Sequence, residues 1–279
     1  MNFTRYRSAE KFLEENEAFL ESEEVVNSLL LGLAIENKEK LNDSTFYINT
    51  YDCRGIHFAA IKTEGGHLII YGNDTTADAY VLLLVNHIKQ LKINVPGVIG
   101  PKGLALKIAD AIKSEINCEY EIESKQLVYK LKKVKYDPEV KGKLKIATPD
   151  QIDKMASWMN NFQIEAFQTD QPNKSYEMAK NKIQKEQLFV WENGSEVAMG
   201  CIARPTKNGI TINFVYTPVE FRKNGYGTKL VAELSNLMLY KGYRFCTLFT
   251  DLNNPTSNHI YKKIGYEPVC EFLSINFSY

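Results

Sequence analysis

Seven residues, Arg222-Lys223-Asn224-Gly225-Tyr226-Gly227-Thr228, have the types and spacing to hold an anion. They lie between an apolar run, Ile210 to Tyr216, and a helical run, Lys229 to Tyr240. The first N–H groups of a helix have no intrahelical partner and point along the positive end of its dipole. Two glycines let the backbone close around a phosphate without side chains in the way. No Lys-Ser/Thr pair follows the glycines, so a P-loop is excluded. The third position of a dinucleotide fingerprint is Leu230 rather than glycine. The competing reading is a tight strand-to-helix turn that binds nothing.

A second motif lies downstream, in Asp251-Leu252-Asn253-Asn254-Pro255-Thr256-Ser257-Asn258-His259-Ile260-Tyr261, followed by Gly265-Tyr266. Together the segments resemble the GNAT superfamily of acyl-coenzyme A-dependent N-acetyltransferases. That family carries Arg/Gln-x-x-Gly-x-Gly/Ala and, some 30 residues on, Asn-x-x-Ala/Ser-x-x-hydrophobic-Tyr before a Gly-aromatic pair. Here these read Arg222, Gly225, Gly227, then Asn254, Ser257, Ile260, Tyr261, then Gly265, Tyr266. The match runs from about Leu144 to Tyr279. It is similar to bacterial predicted acetyltransferases with an extra N-terminal half.

The resemblance implies acetyl-coenzyme A as co-substrate and no metal. Backbone amides of Lys223, Asn224, Gly225, Tyr226, Gly227 and Thr228 would surround the pyrophosphate, with Arg222 mainly organising the turn. The strand edge at Val215, Tyr216 and Thr217 would pair with the pantetheine amides. Asn254 would hydrogen-bond the pantetheine arm, Ser257 would occupy the small position after it, and Tyr261 would be the acid for the leaving thiolate.

Acetyl transfer to an amine needs aligned reactants, an N–H for the oxyanion, a base for the amine and a proton for sulfur. The Val215–Tyr216 backbone offers the oxyanion donor and Tyr261 the proton. Glu165 and Asp251 are candidate bases. Each has a plainer reading: Glu165 as a solvated helix charge, Asp251 as a turn residue before Asn-Pro, Tyr261 as core. A non-catalytic acyl-coenzyme A-binding or regulatory module is the alternative to an enzyme.

Charge excludes other classes. The chain has 34 basic and 34 acidic residues, and no basic block interleaves with aromatics, so nucleic-acid binding has no electrostatic footprint. Residues 1–138 carry 17 basic and 20 acidic groups, against 17 and 14 in the remainder, so the basic excess falls on the half with the anion motif. Cys53, Cys118, Cys201, Cys246 and Cys270 are scattered and read as reduced, mostly buried thiols. The four histidines show no metal spacing. No signal peptide or membrane span is read, so the expectation is a cytoplasmic protein. The resemblance implies a small-molecule or peptide amine as acceptor, for a monomer or homodimer.

The resemblance implies an α/β (α+β) fold: a mixed, mostly antiparallel sheet with helices on both faces. The charged, Pro- and Gly-containing stretch Lys132–Lys143 divides a domain at 1–138 from one at 139–279. Thr148 with Pro149 opens a helix, and helices run to about Lys185. Strands follow at Leu188–Trp191 and Ala198–Ala203, joined by the turn Glu192-Asn193-Gly194, then at Ile210–Tyr216, Phe245–Thr250 and Val269–Phe277. Trp158 and Phe162 read as core. In the first half, Ala9 to Leu33 reads as amphipathic helix with a solvated acidic face (Glu14, Glu15, Glu17, Glu21, Glu23, Glu24). Strands are expected at Phe46–Thr50 and Gly55–Lys62, and a helix at Thr76–Gln90. The turn Gly97 to Gly103, before a helix at Leu104–Ile112, echoes the later glycine turn. That suggests a degenerate copy of one fold in tandem. Pro101 lacks an N–H, and no arginine stands at the required spacing, so no coenzyme is expected there.

Overall fold

Alternating apolar residues make the strands, and the computed structural model describes residues 1–38 and 45–279. In chain order the elements are β1 (Asn2–Tyr6), α1 (Ala9–Glu21), α2 (Ser28–Glu36), β2 (Phe46–Asp52), β3 (Gly55–Lys62), β4 (Leu68–Gly72), α3 (Ala77–Leu91), β5 (Gly97–Pro101), α4 (Lys102–Ile116) and β6 (Glu119–Leu131). Then come β7 (Lys143–Ile146), α5 (Ile152–Phe167), α6 (Pro172–Gln184), β8 (Leu188–Asn193), β9 (Ser195–Ala203), β10 (Gly209–Tyr216), α7 (Tyr226–Tyr240), β11 (Phe245–Asp251), α8 (Pro255–Ile264) and β12 (Glu267–Ser278). The second ten elements repeat the order of the first ten, so the halves share one topology. The tandem expectation is met at the level of fold.

Two compact units contain these elements. One holds Met1–Tyr129, Phe249–Pro255 and Pro268–Tyr279; the other holds Lys130–Leu248 and Thr256–Glu267. In the first, strands run in the order β1-β2-β3-β4-β5-β12-β6. β1 to β4 pair antiparallel, β4 pairs parallel with β5, and β12 pairs antiparallel with β5, from Phe272↔Pro101 to Asn276↔Gly97. The alternation sorts side chains onto two faces. Phe46, Ile48, Phe58, Ala60 and Ile70 pack against α3 and α4, while Tyr47, Ala59, Ile61 and Ile69 pack against α1 and α2.

In the second unit the order is β11-β10-β9-β8-β7. β7 to β10 pair antiparallel and β10 pairs parallel with β11. Met155, Trp158, Met159, Ala179 and Ile183 of α5 and α6 cover one face with Val190, Met199 and Tyr216. On the other face α7 comes close: a Cβ on Gly200 would stand 2.7 Å from Leu230. The cap of the helical region after β7 forms as expected, with the Thr148 N–H donating to Gln151 Oε1 at 2.9 Å and Pro149 at the first position.

Several expectations need correction. The helical region at 9–33 is broken, because the Asn27 carboxamide donates to the Leu20 carbonyl at 2.9 Å and Ser22 Oγ to Phe19 at 2.7 Å, ending α1. Glu24 leaves the solvated acidic face and is buried. β1 and β4 were not expected at all. β4 changes the internal correspondence: the partner of the β10–α7 turn is the β4–α3 turn at 73–76, not the glycine turn at 97–103. The latter matches the junction of β11 and α8. Of the cysteines, Cys118, Cys201 and Cys246 are buried, whereas Cys53 is exposed.

Candidate functional site

The bulge in β10 sets the site. Thr211, Ile212 and Asn213 pair with β9, and the register then shifts before Tyr216↔Met199. Phe214 takes φ +50 there, a left-handed conformation rare for an aromatic, with its ring 5.2 Å from that of Phe162. The parallel ladder to β11 covers Gly209↔Phe245 to Thr211↔Thr247 and stops. Val215 and Tyr216, two of the residues assigned to the pantetheine edge, therefore lie beyond that ladder, and Thr217 follows the end of β10.

The turn after β10 satisfies most of its own carbonyls. Arg222 Nε donates to the Thr217 carbonyl at 2.9 Å, and Asn224 Nδ2 donates to those of Phe221 and Arg222, both at 3.2 Å. The Pro218 carbonyl accepts from Phe221 at 2.9 Å and that of Val219 from Arg222 at 3.3 Å. Five of the turn's carbonyls are thus bonded to donors of the turn itself. Lys223 at φ +66 and Gly225 at φ +78 bend the chain into α7. The first helical bond runs from the Lys229 N–H to the Gly225 carbonyl at 2.9 Å, so the amides of Tyr226, Gly227 and Thr228 precede the ladder. Gly225 caps the helix with no side-chain hydrogen bond. A Cβ on Gly227 would stand 3.0 Å from Thr217 Oγ1, a contact that a shift of that hydroxyl by a few tenths of an ångström relieves.

Glu165 of α5 joins this group. Both its oxygens accept from Arg222 Nη2, at 2.8 and 2.7 Å, and Tyr216 donates its hydroxyl to Oε1 at 3.3 Å. The Arg222 guanidinium also lies 5.7 Å from the Tyr216 ring centroid. Burial, and then the Glu165 charge, push the Tyr216 phenol up. The sequence named all three residues but gave no sign of this bidentate pair, because Glu165 and Arg222 are 57 positions apart.

Tyr261 sits on α8, partly buried, with its ring edge-on to Tyr266 at 5.9 Å. Burial pushes its phenol up to about 12. Tyr266 is fully buried, and its hydroxyl lies 2.9 Å from Ser235 Oγ, which itself donates to the Val231 carbonyl at 2.6 Å. The single Ser235 proton is thus committed, and Tyr266 is the donor between them. Gly265 at φ +119 ends α8, and the Tyr266 N–H closes back on the Tyr261 carbonyl at 2.9 Å. Ser257 lies partly buried in the first turns of α8. Asp251 and Asn254 belong to the first unit. There Asp251 Oδ1 accepts the Asn253 N–H at 2.8 Å and its carbonyl accepts the Asn254 N–H at 3.1 Å, a turn before Pro255.

The corresponding turn of the first unit is built differently. Asn73 Oδ1 accepts the Thr75 N–H at 3.0 Å and its hydroxyl at 2.8 Å. The Asn73 N–H donates to the His57 carbonyl at 2.8 Å, and Thr76 Oγ1 stands 3.3 Å from His57 Nδ1. His57 Nε2 is in turn 2.8 Å from Asp52. β4 and β5 also stay close, since a Cβ on Gly100 would be 2.9 Å from the Ile70 carbonyl. The amides of Asn73, Thr75 and Thr76 are thus already engaged.

Among the described residues no group of three or more His, Cys, Asp or Glu could hold a metal, and no helix is long and apolar enough to cross a membrane. A shallow cavity of about 370 Å³ on α7, lined by Leu144, Glu233, Asn236, Leu237 and Tyr240, shares no residue with the candidate site.

Residues 189–273 match the family model described as FR47-like protein. No curated protein matches the chain. Among solved structures it is similar to a GNAT-family acetyltransferase from Colwellia psychrerythraea, with TM-score 0.60, 12% identity and 99% of each chain covered. A GCN5-related N-acetyltransferase from Sphaerobacter thermophilus gives TM-score 0.61 at 12% identity, covering 99% of this chain and 95% of that one. A tandem GNAT protein from the clavulanic acid biosynthesis pathway gives 0.56 at 9% identity, covering 99% and 98%. The fold is therefore that of the GNAT superfamily, as the two sequence motifs implied. More narrowly, it is the tandem form of that fold.

Proposed function

We propose that this chain is an N-acetyltransferase that moves an acetyl group from acetyl-coenzyme A to the amine of a small molecule or peptide. The observation that carries the reading is the β10–α7 turn, with the carbonyls of Thr217, Pro218, Val219, Phe221 and Arg222 bonded within it and the amides of Tyr226 to Thr228 ahead of the helix ladder. The bulged strand edge beside it supports the same reading. A glycine at 227 and a left-handed glycine at 225 fit a cradle for a pyrophosphate.

Acetyl-coenzyme A supplies the activated thioester when bound. Amides of Lys223 to Thr228 hold its phosphates, while Val215, Tyr216 and Thr217 present backbone groups to the pantetheine. Ser257 completes that contact in the proposal. The Val215–Tyr216 backbone offers an N–H where negative charge develops. Tyr261, pushed up to about 12, keeps its proton at neutral pH and holds it for the departing sulfur. Glu165 is the proposed base, and to act it must turn one oxygen away from Arg222. That commitment favours the second reading, a non-catalytic acyl-coenzyme A-binding module, if the pair never opens.

The test is thiol release from acetyl-coenzyme A over a panel of small amines and amino-terminal peptides. Turnover that Tyr261→Phe lowers, with coenzyme affinity kept, supports the enzyme. Binding without turnover on any amine moves the account to the second reading.

A further inference from the structure

We infer that residues Lys135–Lys141, which join the two sequence halves, form a belt that fixes the β10–α7 turn relative to the end of α8. The belt residues are positioning residues for the proposed coenzyme site, and their effect on affinity rests on that reading. All the residues involved lie in the second unit.

The composition of this stretch, with Lys, Pro and Gly, is that of a solvated tether. Its packing is not. Exposure alternates without a break: Val134, Tyr136, Pro138 and Val140 are half-buried, while Lys133, Lys135, Asp137, Glu139 and Lys141 are exposed. The chain is thus extended, with every second side chain turned in, although it pairs with no strand over 135–141. At one end the Lys135 N–H donates to the Ile264 carbonyl of α8 at 2.7 Å. A Cβ on Gly265 would stand 3.0 Å from the Lys133 carbonyl, so the belt lies directly on the end of α8. Lys263 Nζ lies 4.1 Å from the Tyr136 ring centroid.

The other end meets the turn. Asp137 pairs with Lys229 of α7 at 2.7 Å, where Glu233 also pairs at 2.7 Å. A cation near a helix N-terminus opposes the dipole, and these two carboxylates offset it on a side chain only 13% exposed. Val140 Cγ2 lies 3.2 Å from where a Gly225 Cβ would stand. The Lys141 carbonyl then accepts from Trp191 Nε1 at 3.1 Å. A left-handed non-glycine residue such as Lys223 persists where its surroundings over-determine it. Val140 is the side chain that closes over Gly225 from outside the turn. One end of the belt therefore rests on the helix that carries Tyr261 and the other on the turn assigned to the phosphates.

The test is amide hydrogen exchange at residues 223–228 in Val140→Ala, beside isothermal titration with coenzyme A. The expected result is faster exchange in the turn, with coenzyme A bound about fivefold more weakly. Val140→Ile, which keeps the Cγ2 methyl, should restore both. A purely structural residue would lower the melting temperature and leave exchange at 223–228 in proportion to the rest of the chain. Unchanged exchange in the turn with unchanged affinity overturns the inference. If Val140→Ala does not fold, Asp137→Ala, which frees Lys229 of α7 from the belt, carries the same two readouts. If the wild type binds no coenzyme A, the proposed function falls, and exchange in the turn still decides the belt.

Discussion

Replacing Gly225 with alanine tests the turn at its tightest point. Gly225 caps α7 at φ +78 and ψ 1. An L-residue in the left-handed region costs roughly 1–2 kcal/mol relative to glycine. The new Cβ would also stand 3.2 Å from Val140 Cγ2, a contact that forces a shift of a few tenths of an ångström. The strain is local, because the carbonyl of residue 225 can still accept from Lys229. A loss of about 1–2 kcal/mol lowers the melting temperature of a chain this size by roughly 2–8 °C. Calorimetry with urea unfolding at neutral pH measures it, with Gly194→Ala as a comparison, a left-handed hairpin glycine with open space around it. The two should lose similar stability, but only Gly225→Ala should also weaken coenzyme binding. A melting temperature within 1 °C of wild type would refute the claim that this position requires a left-handed glycine.

Arg222→Lys keeps the charge but cannot donate at once to the Thr217 carbonyl and to both Glu165 oxygens, so coenzyme affinity should fall almost as far as in Arg222→Ala; titration checks it. Tyr261 is pushed up to about 12, so its neutral form is favoured in the folded chain and its stabilising contribution is complete below about pH 10. That contribution disappears as pH rises from about 10 through 12, and urea unfolding across this window should show a shallower decline in Tyr261→Phe than in wild type. Calorimetric stoichiometry should give one coenzyme per chain, because Asn73 and His57 close the corresponding turn of the first unit; two would overturn that reading.

The two motifs were legible because each is local: glycines at 225 and 227 and the Asn254–Tyr261 run sit within one turn and one helix. β4 was not, since Leu68-Ile69-Ile70 is a short buried run with no polar alternation. Passing over it shifted the internal alignment and put the degenerate turn at Gly97–Gly103 instead of 73–76. The bulge at Phe214 has no composition signal, because a phenylalanine occupies the left-handed position where glycine would have marked it. The pairing of β12 with β5 and the Glu165–Arg222 bond join residues far apart in sequence. No periodicity reports them. The belt shows the opposite failure: Val134, Tyr136, Pro138 and Val140 alternate legibly, but the surrounding lysines marked the stretch as a boundary.

The central claim is that the β10–α7 turn holds the coenzyme phosphates. Thermal unfolding of wild type and Gly227→Asp, each with and without acetyl-coenzyme A, tests it most directly. Aspartate in the first turn of α7 suits the helix dipole, so the variant should fold while its charge repels the phosphates. Ligand at about 100 times its dissociation constant adds roughly 2.7 kcal/mol, a shift of several degrees. The account predicts that shift in wild type and its loss in Gly227→Asp. An equal shift in both, or none in wild type, would contradict it.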